Sequence, residues 1–160
     1  MEIFLDSSDI KEIRGLNKAN LIDGVTTNPS LLASAGTDFK ILLKEICHEI
    51  KGPVSAEVTA PDVPSMLKEA DVLRKIAKNI VIKVPLTWNG LQACNILSAK
   101  KIKVNVTLCF SASQALLAAK AGATAKENPV VKDDKVPTKP NNSETKTSTV
   151  VYKEVTKGVK

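Results

Sequence analysis

The sequence predicts an α/β fold: five strand–helix units with parallel strands, followed by an irregular tail. Three observations carry this. Strand-length apolar segments alternate strictly with segments of helical period over residues 2–122, an order that implies a parallel sheet with right-handed crossovers. Aromatic residues make up only 3% of the chain, so Val, Ile, Leu and Ala do most of the burying, as suits parallel strands covered on both faces. After Thr124 neither period persists.

Residues 2–7 (EIFLDS) read as the first strand. Ser8 or Asp9 can cap a helix over 9–18, with Ile10, Ile13 and Leu16 on one face. Residues 21–27 (LIDGVTT) read as the second strand. Pro29 and Ser30 open a short helical segment that Gly36 ends, and 38–50 form an amphipathic helix broken by Gly52-Pro53. A third strand, 54–59, leads to a helix over 63–77 with Pro64 tolerated in its first turn. The fourth strand, 79–85 (NIVIKVP), is apolar but for one lysine and precedes a helix over 90–101. The fifth strand, 102–109, precedes a helix over 111–122 with an Ala-rich packing face and a terminal glycine.

Residues 125–160 are rich in Lys, Thr, Val, Pro and Asn and read as a basic, low-complexity, disordered tail, distinct from the domain over 1–124. Two Val-rich pieces within it, 149–152 and 155–159, have transient strand character.

The bulk composition excludes several classes. Net charge is +6, and half of that lies after residue 124, where eight lysines face five acidic residues. No aromatic-studded basic patch accompanies it and arginine is confined to Arg14 and Arg74, so nucleic acid is not expected as a partner. Cys47, Cys94 and Cys109 are odd in number and form no CxxC pair, which points to reduced thiols and a cytoplasmic protein. No apolar run has the length of a membrane span, and the acidic start MEIFLDSSD is not a signal peptide. The single histidine, His48, lies in a helical pattern as a surface or boundary residue; with no clustered cysteines, no metal site is expected.

Each strand carries a polar residue near its C-terminal end: Asp6 on the first, Asn28 just past the second, Glu57 on the third, Lys83 on the fourth, and Asn105 and Thr107 on the fifth. Side chains alternate across a strand, so Ser55, Glu57 and Thr59 share one face and Val54, Ala56 and Val58 the other. In a β/α barrel the apolar face meets the helices and catalytic groups gather at the C-terminal mouth. Ordinary strand-to-loop residues would give a similar pattern. Lys83 is the sharpest signal. An amine in an apolar strand loses hydration, its pKa falls, and the neutral form can attack a carbonyl to give an imine; the alternative is an edge lysine reaching water along its aliphatic stem. Asp6 and Glu57 could move protons directly or through a water positioned by Thr107, and Asn28 and Asn105 could bind sugar hydroxyls.

At these residues the sequence resembles the transaldolase family, in its short-chain branch that also holds the fructose-6-phosphate aldolases. The stretch DGVTTNPSLL (23–32) is the most specific motif, supported by FLDSSD (4–9), GPVSAEV (52–58), VIKVPLT (81–87) and NVTLCFSASQALLAAKAGAT (105–124). The resemblance implies a (β/α)8 TIM barrel and transfer of a dihydroxyacetone unit between sugar phosphates in the pentose phosphate pathway, with no cofactor. It implies Lys83 as the Schiff-base lysine, Asp6 as the carboxylate for C–C cleavage, Glu57 as the acid acting through a water held by Thr107, and Asn28, Asn105 and Thr26 as substrate-binding groups. The aldolases carry Gln at the position of Glu57, so the resemblance favours a transaldolase over an aldolase-like enzyme.

Past AGAT (121–124) the pattern departs. The sixth strand expected there, with a serine and then an arginine for the substrate phosphate, is absent, and eight units would need about 200 residues. Only the first five units are expected, as in a truncated or frameshifted product. Its outer strands would leave open edges for a second copy or a separate partner to cover. Three readings follow: an active homo-oligomeric transferase, a non-catalytic remnant or interaction protein, and, last, a basic nucleic-acid binder.

Overall fold

The computed structural model describes residues 2–30, 38–126 and 149–153. Five parallel strands alternate with helices: β1 (Glu2–Asp6), α1 (Ile10–Lys18), β2 (Gly24–Thr26), α2 (Phe39–Glu49), β3 (Val54–Glu57), α3 (Val63–Leu73), β4 (Ile80–Pro85), α4 (Trp88–Ala99), β5 (Val104–Thr107) and α5 (Ala112–Lys120). The sheet curls into a half-barrel, as the five β/α units predict. Two short strands extend it, β6 (Ala125–Lys126) parallel to β5 and β7 (Thr149–Lys153) antiparallel to β1, giving the order β6-β5-β4-β3-β2-β1-β7. The expected short helix begins at Pro29 and Ser30; its remainder, the second Val-rich piece at 155–159 and most of the tail lie outside the described residues.

The helix starts follow from local chemistry. Asp9 rather than Ser8 caps α1, its carboxylate accepting from the Lys11 and Glu12 amides, while the Ser8 side chain is not the cap. Asp38, Asp62, Thr87 and Ser111 do the same for α2 to α5. Because the Thr87 hydroxyl accepts from the Gly90 amide at 3.0 Å, α4 starts at Trp88, earlier than the apolar period indicates. Gly90 has to be glycine: a Cβ there would run into the Pro85 carbonyl. The third helix ends at Leu73, short of residue 77, because Lys75 and Ile76 donate to carbonyls three residues back, the tightened last turn common at helix ends. Asn79, expected as strand, instead donates from its side chain to the carbonyls of Cys47, Ile50 and Gly52, closing the end of α2.

The two faces of the sheet differ in chemistry. Leu5, Val25, Val54, Ala56, Ile82, Val84, Val104 and Val106 lie on the face toward the helices and join the core with Leu43, Ile46, Met66, Ala70, Ala93 and Leu97. Each fully buried aliphatic side chain contributes roughly 1.5–3 kcal/mol. The opposite, concave face begins at its N-terminal end with Phe4 and Val81, both buried yet outside that core cluster. Gly24 stands beside Phe4, and any side chain there would overlap the ring.

The last full helix packs through the expected Ala-rich face, with Ala118 buried and Ala115 and Ala121 half-buried. Only Ala118 of α5 is fully buried, and Leu116 and Leu117 are exposed. The Ala-rich face packs as a narrow stripe, and among the described residues no further helix follows β6 to cover its far side.

Candidate active site

The polar residues of the concave face fall into two register rows. Along β1, β2 and β3, Asp6 pairs with Thr26 and Thr26 with Ser55. Along β3, β4 and β5, Glu57 pairs with Lys83 and Lys83 with Asn105. Cross-strand partners point to the same face and residues two apart on one strand do too. The rows therefore share a face and meet on β3, two residues apart. Thr107 lies one step further toward the C-terminal end, paired with Pro85. Asn28 follows β2 by two residues and is half-buried at the same end.

Burial along this face is unusually complete for polar groups. Lys83 is 5% exposed, Asn105 and Ser55 are fully buried, and Thr26 and Thr107 are buried. The Lys83 ammonium lies 3.2 Å from Glu57 Oε2, an ion pair whose carboxylate side is the wetter. Asn105 Nδ2 donates to Ser55 Oγ at 3.2 Å, and Thr26 Oγ1 is buried with no hydrogen-bond partner among the described residues. A buried hydroxyl without a partner costs on the order of 1–3 kcal/mol, so this face is polar beyond what folding alone rewards.

The structure thus brings Glu57 and Lys83 into direct contact and aligns Asn105 with them. It sets Asp6 and Thr26 in the neighbouring row, with Thr107 and Asn28 toward the open end. Ser55 was legible only as one member of an alternating strand; its hydrogen bond to a residue two strands away has no signal in the local sequence. Leu108 was also not singled out. It follows Thr107 with φ +63°, in the left-handed region, where a non-glycine residue costs roughly 1–2 kcal/mol. There it turns the chain sharply out of β5, leaving Leu108 and Phe110 exposed.

Elsewhere the chemistry is quieter. A groove of about 740 Å³ lies between α2 and α3. Of the candidate residues only Glu57 lines it, and its walls are largely apolar, with Phe39, Leu43, Val72 and Leu73 among them. Among the described residues no group of three or more His, Cys, Asp or Glu side chains could hold a metal, and His48 is exposed. No described helix is long and apolar enough to cross a membrane. All three cysteines are free and buried. Burial pushes the Cys47 thiol up to about 12 and the Cys94 thiol up to about 11.

Parallel β/α units with polar groups collected at the C-terminal ends of the strands define a barrel-type enzyme scaffold. Residues 3–128 match the family model for transaldolase/fructose-6-phosphate aldolase, and the chain belongs to that family. It is 60% identical over 124 residues to a probable transaldolase of Parvibaculum lavamentivorans, a stretch that is 78% of this chain and 57% of that protein. Probable transaldolases of Brucella anthropi and Paracoccus denitrificans match over the same shares at 60% and 57% identity. The chain thus spans little more than half the length of these relatives.

Proposed function

We propose that this chain carries the imine-forming half of a transaldolase site, with Lys83 as the nucleophile. The observation that carries the reading is the Lys83–Glu57 pair, a buried amine 3.2 Å from a carboxylate on the concave face of parallel strands. The relatives' description as probable transaldolases supports the same chemistry.

In this reading Glu57 takes a proton from Lys83, directly or through a water held by Thr107. The amine adds to the carbonyl carbon of a ketose phosphate, the carbonyl oxygen leaves as water, and an iminium remains. Asp6 removes the proton of the hydroxyl on the far carbon of the bond that breaks, the carbon that becomes the aldehyde. The C–C electrons flow into the iminium to give an enamine, and an aldose phosphate departs. The enamine then attacks a second aldose phosphate, and water returns to release the product ketose. Asn28, Asn105 and Thr26 pair with the sugar hydroxyls, whose burial without partners would be costly. The iminium is the electron sink, so no cofactor is required. Sugar phosphates are the partners, the buried free cysteines favour a cytoplasmic setting, and a second copy extends the half-barrel beyond β6.

The test is transfer. The full chain is incubated with fructose 6-phosphate and a labelled aldose phosphate. Label in a new, longer ketose phosphate, lost in Lys83→Ala, is the expected result. Free dihydroxyacetone in place of that product would mean aldolase chemistry. Neither product from folded protein would leave the non-catalytic reading, an interaction protein on a barrel scaffold.

A further inference from the structure

Ser55 and Asn105 stand on β3 and β5, two strands apart, with β4 between them. Adjacent strands lie about 4.8 Å apart, so their side chains meet only by reaching across the concave face. Ser55 is in register with Val81 and Asn105 with Lys83. The Asn105 Nδ2 to Ser55 Oγ hydrogen bond therefore crosses β4 between Val81 and Lys83, at the foot of the lysine side chain. It also joins the two polar rows, since Ser55 belongs to one and Asn105 to the other.

Ser55 is well held for such a task. Its carbonyl accepts from both the amide and the hydroxyl of Thr27, at 3.0 and 2.8 Å. Both residues are fully buried. The Asn105 amide nitrogen donates to the serine hydroxyl, which tethers the side chain across β4 next to a reacting amine.

The geometry points to Ser55 as a positioning residue that tethers the Asn105 side chain across β4 and so holds its amide beside Lys83. This rests on the imine reading above and adds to it a residue that touches no substrate. The held amide pairs with a group that appears during reaction, the iminium N–H or a hydroxyl of the bound three-carbon unit. A fixed amide is worth more than a mobile one, because less reorientation is needed as charge develops.

The experiment uses the full ¹⁵N-labelled chain, with the Asn105 side-chain amide assigned by its loss in Asn105→Asp. Borohydride trapping of fructose 6-phosphate is followed by intact mass across sugar concentrations. In Ser55→Ala the Asn105 amide resonances shift, and the saturating trapping rate falls about 10- to 100-fold, with the half-saturating concentration within about threefold of wild type. Ser55→Thr, which keeps the hydroxyl, recovers both. If the alanine variant does not unfold cooperatively, Ser55→Cys, nearly isosteric but a weaker acceptor, takes its place with a smaller fall. Wild-type trapping with an unchanged rate in the substituted chain overturns the role of Ser55 alone. No adduct in the wild type overturns the imine reading itself, and this inference with it.

Discussion

The two faces of one sheet obey different rules. Toward the helices, β1 to β5 present Leu5, Val25, Val54, Ala56, Ile82, Val84, Val104 and Val106, residues that bury surface and do nothing else. On the concave side the same strands present Asp6, Thr26, Ser55, Glu57, Lys83, Asn105 and Thr107, most of them buried and all of them polar. Alternation at period two lets a single strand serve both. Stability resides mainly on the helix face, and the concave face beyond Phe4 and Val81 is free to hold groups that folding alone would not select. Substitutions on the two faces should therefore fail in different ways.

The largest contrast is between neighbours on β4. Lys83→Met should abolish borohydride-trapped adduct with a ketose phosphate while circular dichroism and cooperative melting persist. Ile82→Ala, one residue away on the helix side, should cost about 2–5 kcal/mol in denaturant unfolding, with trapping retained in whatever fraction is folded. Loss of folding in the first, or loss of trapping without loss of stability in the second, would break the division between faces.

A smaller effect sharpens it. Asn79 immediately precedes β4 and belongs to neither face; it ties three carbonyls around the end of α2. Asn79→Ala should cost about 1–3 kcal/mol and leave the saturating trapping rate unchanged. A change in that rate would mean the helix layer also tunes the site.

The weakest effect is a pH dependence confined to the helix side. Cys47 and Cys94 titrate at about 12 and about 11 in the folded chain because burial disfavours their thiolates. An exposed thiol titrates near 9.0, so the unfolded chain loses these protons first. Their contribution to stability is fully present below pH 9 and is lost as pH rises toward 11–12. Denaturant midpoints measured at pH 8 and pH 10.5 should fall less in Cys47→Ala/Cys94→Ala than in wild type. Equal falls would remove the thiols from the account.

Much of this division was legible in the sequence. The alternation in VSAEVT (54–59) and IKVNVTLC (102–109) assigns each side chain to a face, and the lone lysine in NIVIKVP (79–85) marks the candidate site. Element ends were less so, since Thr87 and Asn79 act through side-chain hydrogen bonds that periodicity does not register. The register between strands was also hidden. It is set by how the sheet curls, so the meeting of Ser55 with Asn105, fifty residues apart, appears only in three dimensions.

The most direct test of the central claim is to locate the trapped adduct. The full chain is reduced with borohydride in the presence of fructose 6-phosphate, digested with trypsin and mapped by mass spectrometry. Modified Lys83 should resist cleavage, so the adduct should appear on a single peptide running from residue 79 to 100, with the other lysines unmodified. An adduct on another lysine, or one spread over the exposed lysines with free cleavage after Lys83, would contradict the account.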